Sequence, residues 1–154
     1  MATNPKKSAL LRLDNIGIVV QDLPAVTAFF VELGLEIEGQ TTVEGPSVDR
    51  LIALHDVRSD IVMLRTPDGH SRLELSKFHK PKALPTDPST PVNTLGIRRL
   101  MFAVTGIDDV VIRLKKHGAE LLGEMVNYEN IYRLCYLRGP EGILIALAEE
   151  LGNR

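Results

Sequence analysis

The side chains able to do chemistry in this sequence are few, and their spacing narrows what they could do. Tyr128, Tyr132 and Tyr136 recur every four residues. On one strand that spacing puts three phenols on a single face, where they could donate hydrogen bonds or carry protons; the plainer reading is an edge strand with amphipathic side chains. Cys135 lies between Leu134 and Tyr136 in a β-rich run. It lacks the neighbouring base or helix N-terminus that a reactive thiolate needs, and reads as a buried, inert cysteine. Of the four histidines, His70 falls in a turn at residues 67–72, and His117 precedes a helix-ending glycine. His79 stands an odd five residues beyond Glu74, on the opposite face of a shared strand. His55, beside Asp56, has no assigned place. Each reads as a surface or loop histidine. The sequence holds no Ser-His-Asp set, phosphate-cradling glycine loop or paired-cysteine metal motif.

What positions these residues is a duplication, and a repeat decides a fold before any motif does. Residues 15–39 overlay residues 99–123 without a gap: Val20 meets Val104, Val26 meets Val110, Gly34 meets Gly118 and Gly39 meets Gly123. Each copy opens with a β-rich run (16–20; 100–104), followed by a turn and a helical stretch. The stripe Val26, Phe29, Phe30, Leu33 in the first copy has its counterpart in Val110, Val111, Leu114 in the second. Gly34 and Gly118 end the helices, and second strands are expected near 35–38 and 120–122. Later in each copy, Leu-Arg-Thr-Pro-Asp-Gly (64–69) matches Leu-Arg-Gly-Pro-Glu-Gly (137–142), turn chemistry joining two apolar strands. The first copy is longer by residues 45–57, where Ser47 could cap a short helix with Val48, Leu51 and Ile52 facing inward. Between the copies, Pro81, Pro85, Pro88 and Pro91 forbid regular structure. The organisation is a single domain over 1–154: a first βαβββ unit at 11–78, a linker at 79–95 and a second unit at 96–150. The linker either only connects the units or also walls a ligand site; the plain connection is favoured.

Composition excludes several function classes. A formal net charge of −2 with 25% charged residues gives no field to recruit nucleic acid or an anionic membrane. No stretch reaches the roughly 18 apolar residues of a membrane span, and residues 1–7 lack the apolar core of a secretory signal. One cysteine allows no internal disulfide, and the cytoplasm is the simplest compartment. Tryptophan is absent and aromatics are 5%, which weakens a base-stacking or sugar-binding surface.

Two βαβββ units with a Pro-Asp/Glu-Gly hairpin late in each resemble the glyoxalase/bleomycin-resistance/dioxygenase (vicinal oxygen chelate) superfamily. The resemblance runs from about Leu11 to Glu149 and is most specific at the opening LDNIGIVVQD (13–22), at Leu73-Glu74-Leu75 and at the closing GPEG (139–142). It implies an α+β fold whose two units curl into half-barrels around a cup, often in a homodimer. It also implies four ligands for a divalent cation, one from the first and one from the last strand of each unit. Those positions hold Asn15, Glu74, Arg99 and Ala146: a weak donor, a good one, a fixed cation and no donor. We therefore expect no metal and no other cofactor. If the fold holds, Arg99 points into the cup with Glu74 and can pair with it bidentately, either only to neutralise a buried acid or also to receive an anionic ligand group.

Strand alternation then sends Gly17 and Val19 after Asn15 into the cup, Arg72 and Ser76 beside Glu74, and Met101 and Ala103 after Arg99. The expected ligand-binding set is Asn15, Arg72, Glu74, Ser76, Arg99, Met101 and Tyr132. The leading function is binding of a small anionic metabolite or drug. If the protein also transforms it, Glu74 is the general base and Arg99 the stabiliser of developing charge, although a neighbouring cation would blunt that base. The alternatives are a metal-dependent lyase, epimerase or dioxygenase with atypical ligands, and a purely structural role.

Overall fold

Strand β1 (Ile16–Val19) alternates half-buried and exposed residues, as a strand with one face on a core should. The structure is a computed structural model that describes residues 7–152. Helix α1 (Leu23–Leu33) follows, its first turn held by Asp22, whose carboxylate accepts the N–H of Ala25 at 3.0 Å. Val26, Phe29 and Phe30 are its buried face, as the periodicity predicts, and Gly34 closes it at φ 130°. The unit is completed by β2 (Glu36–Glu44), the short helix α2 (Pro46–Ile52), β3 (Arg58–Arg65) and β4 (Arg72–Lys80). The second unit repeats the pattern with β5 (Arg99–Ala103), α3 (Ile107–Lys115), β6 (Glu120–Tyr128), β7 (Tyr132–Arg138), a 3-10 turn (Pro140–Gly142) and β8 (Leu144–Glu150).

The two sheets have the same order, β1-β4-β3-β2 and β5-β8-β7-β6, with β1 parallel to β4 and β5 parallel to β8. The registers match as well. Gly17 pairs with Glu74 and Met101 with Ala146, so the positions aligned by the duplication occupy equivalent places in space. One hydrophobic core draws on both units, with Phe30 lying 6.4 Å from Phe102 between ring centres. The units therefore pair within the chain.

Four local expectations need correction. Strands β2 and β6 run through Glu44 and Tyr128, well past the few residues expected. Helix α2 is capped at Gly45 without a side-chain bond, and Leu51 points to solvent. Helix α2 is anchored by polar contacts, since Asp49 accepts the N–H groups of Asp56 and Val57 at 3.0 and 2.9 Å. Strand β4 continues through His79 and Lys80, so the linker begins at Pro81: Arg58 pairs with Lys80 across a bulge, and pairing stops only where proline removes the donor. The three tyrosines do not share a strand. A tight turn with Glu129 and Asn130 at φ 52° and 56° separates β6 from β7, and Tyr128 faces Tyr132 across it. Residues 1–6, on which most of the expectation about a secretory signal falls, and 153–154 lie outside the described residues.

Candidate functional site at the seam between the units

Strands β1 and β5 are edge strands, and both line two cavities along the seam where the units meet. The larger, about 780 Å³, takes in Leu13, Asn15, Arg72, Arg99, Met101 and Arg113. The smaller, about 350 Å³, lies beside Gly17, Val19, Arg98, Arg99 and Glu141. Both volumes fall in the usual range for small-molecule pockets. The strand alternation holds: Leu73 and Leu75 go into the core, leaving Arg72, Glu74 and Ser76 on the other face.

Of the seven residues expected to bind a ligand, Asn15, Arg72, Arg99 and Met101 line the larger cavity, and Arg99 lines both. Glu74, Ser76 and Tyr132 line neither. The expected Arg99–Glu74 pair is not formed. Among the described residues neither side chain has an ion-pair partner, and the Arg99 guanidinium instead lies over the ring of Tyr136, 5.4 Å from its centre. Register explains the difference: Tyr136 pairs with Ala146, which pairs with Met101, so a small alanine leaves room for Arg99 to lean across β8 towards Tyr136. Tyr132 sits at the far end of β7, opposite Glu150.

The remaining cations of the larger cavity are already neutralised. Arg72 donates to both oxygens of Glu38 at 2.9 and 3.2 Å, and that carboxylate raises the guanidinium's pKa above its ordinary value. Arg113 is held by Asp109 at 2.9 Å and by the main-chain and side-chain oxygens of Glu32 at 2.6 and 3.4 Å. In the smaller cavity the buried Nε of Arg98 has no hydrogen-bond partner. Arg98, Arg113 and Tyr136 were not in the expected site. Arg98 is the chain neighbour of Arg99, and Tyr136 reaches Arg99 through the register of their own sheet, which sequence pattern alone did not supply. The linker contributes Thr86, Asp87 and Thr90 to the smaller cavity, so it is also a wall.

The donors at the four metal positions do not fit a divalent cation. The Asn15 amide donates to Asp14 at 3.0 Å, Ala146 is a buried methyl, and Arg99 brings positive charge to the place a ligand would occupy. Among the described residues no group of three His, Cys, Asp or Glu side chains converges as a metal site would require. All four histidines are exposed, and His79 is tied to Asp60 at 2.7 Å.

The glyoxalase/bleomycin resistance protein/dioxygenase superfamily matches residues 12–147, and the chain belongs to that superfamily. No curated protein matches it. A crystal structure of a glyoxalase family protein from Bacillus cereus is 54% identical, with a TM-score of 0.92 over 97% of this chain and 100% of that one. A glyoxalase/dioxygenase from Nostoc punctiforme (23% identity, TM-score 0.59, 95% and 99% covered) shares the fold. So does a fosfomycin resistance protein from Listeria monocytogenes (16%, 0.57, 94% and 96%).

Proposed function

We propose that this superfamily member binds a small anionic metabolite or drug at the seam, with Arg99 receiving the anionic group and no divalent ion taking part. The observation that carries the reading is the state of Arg99. It lines both cavities and is the one arginine of the larger cavity without a carboxylate partner among the described residues. Asn15 and Met101 flank it, and Tyr136 supports its guanidinium from beneath.

Binding leads catalysis in this reading for a reason of geometry. Glu74 makes no ion pair with Arg99 and lines neither cavity, so it does not face a ligand held there. We also place the protein in the cytoplasm and read it as a homodimer, the second from Leu84, Leu95 and Ile97, which the linker leaves at least 85% exposed. Among the described residues no helix is long and apolar enough to cross a membrane.

The test is a thermal-shift screen of anionic metabolites on wild type and Arg99→Met, with elemental analysis of protein purified without chelator. We expect hits that lose about ten- to a hundredfold in affinity in the variant. Stoichiometric metal whose removal abolishes those hits would overturn the reading in favour of a metal-dependent enzyme.

A further inference from the structure

The two ends of the seam are related by the duplication but are built differently. At one end the ring of Phe29 packs on Gly139, where an added Cβ would lie 3.0 Å from it. Glu141 then accepts the N–H groups of Gln21 and Asp22, both at 2.7 Å, and fastens the second unit's hairpin to the start of α1. The linker covers this end, with Arg138 donating to the carbonyls of Pro88 and Thr90 at 3.0 and 2.9 Å.

At the other end each counterpart is changed. Arg113 stands where the repeat places Phe29, and Thr66 stands where it places Gly139. Asp68, the counterpart of Glu141, is one methylene shorter and accepts bonds from Thr66 and the His70 N–H in its own turn, at 2.6 and 3.0 Å. The start of α3 is instead served from within its own unit by Glu149, which accepts from Gly106 and Ile107 at 2.7 and 3.1 Å. Among the described residues no carboxylate ties the first unit's hairpin to the start of α3 as Glu141 ties the second unit's to α1. The units meet here through Arg113, which donates to the main-chain oxygen of Glu32 at 2.6 Å, and the larger cavity opens beside it.

We propose that this open end is a binding site for a monocarboxylate with an apolar body, an inference that rests on Arg99 being the anion-receiving group. The carboxylate pairs with Arg99, and the body lies along Leu13, Ile16, Leu100 and Met101. One unneutralised guanidinium matches one negative charge. A dianion such as a phosphate ester is disfavoured, because Arg72 and Arg113 are already paired and the Asp68 carboxylate shares the cavity.

Calorimetric titration of the full chain with acetate, butanoate, hexanoate and octanoate tests this, with inorganic phosphate and a phosphomonoester for comparison. Affinity should rise about fourfold for each methylene buried. Arg99→Met should weaken hexanoate about ten- to a hundredfold. Met101→Trp, at a half-exposed position, should flatten the chain-length series and leave acetate unchanged. A chain-length series that is flat in wild type, or that survives Met101→Trp, overturns the site. Arg99-dependent binding of phosphate or the phosphomonoester more tightly than hexanoate overturns the ligand class but keeps Arg99 as an anion receptor. If no anion binds in an Arg99-dependent way, both this inference and the function it rests on fail.

Discussion

Gly142→Ala should destabilise the protein more than Gly118→Ala, although the two glycines have nearly the same backbone. Their φ values are +83° and +89°, so alanine at either position pays the left-handed cost of about 1–2 kcal/mol. The surroundings differ. A Cβ on Gly118 would meet nothing within 4 Å, whereas one on Gly142 would come within 2.6 Å of the Cα of Pro88 and 2.8 Å of its carbonyl carbon. That neighbour is backbone and cannot rotate aside, so the linker would have to lift from the seam. Lifting it also strains the Arg138 bonds to Pro88 and Thr90. Overpacking of this kind costs about 1–3 kcal/mol, and that is the expected gap between the two variants in urea unfolding at neutral pH. Limited trypsinolysis supplies a second readout: Gly142→Ala should be cut faster after Lys82, and Gly118→Ala should behave as wild type. Equal losses of stability and equal cleavage would refute the seating of the linker on the hairpin.

Three further outcomes follow from the packing and the charges. Glu149 is held below the ordinary 4.5 by the N–H donors of Gly106 and Ile107. A carboxyl depressed in the folded state stabilises above its unfolded value and loses that contribution as pH falls through the folded one. The advantage of wild type over Glu149→Gln in urea should therefore be full at pH 7 and shrink below about pH 4.5; a gap that stays constant to pH 3 would count against the contact. Burial pushes the Cys135 thiol upward, so the native protein should not react with Ellman's reagent at pH 8 until urea is added, and prompt native labelling would contradict the placement. Phe30→Ala removes a ring with no exposed surface that touches both units, and should cost about 3–5 kcal/mol while leaving one cooperative unfolding transition. Two separate transitions would show that the units do not share a core.

The duplication was legible because it is written in groups that act locally. The stripe Val26, Phe29, Phe30 and the hairpin Pro-Glu-Gly specify their elements without help from distant chain, and the matching registers Gly17–Glu74 and Met101–Ala146 follow from them. Local signals failed where the local chemistry was unusual. Glu129 and Asn130 adopt left-handed conformations without a glycine, so the turn that separates Tyr128 from Tyr132 carried no strong mark. The Arg99–Glu74 pair failed for a different reason. Strand alternation fixes direction but not separation, and Arg99 settles over the ring of Tyr136, whose strand is separated from β5 only by β8 with the small Ala146. Sequence alone could place Arg99 on the right face, but not name its neighbour.

Duplication gives a protein two copies of every seam contact, and this chain has kept one and altered the other. Phe29, Gly139 and Glu141 close their end through packing and two short hydrogen bonds. Arg113, Thr66 and Asp68 occupy the equivalent places at the other end, where Thr66 and Asp68 bond within their own turn and Arg113 divides its donors between Asp109 and Glu32. Closing both ends would bury more surface, so the open end forgoes stability that the fold can evidently obtain. At the positions where the superfamily resemblance implies metal ligands, the second unit holds the guanidinium of Arg99 and the buried methyl of Ala146. A pocket that opens beside an arginine without a carboxylate partner is the arrangement that the proposed anion binding by Arg99 requires.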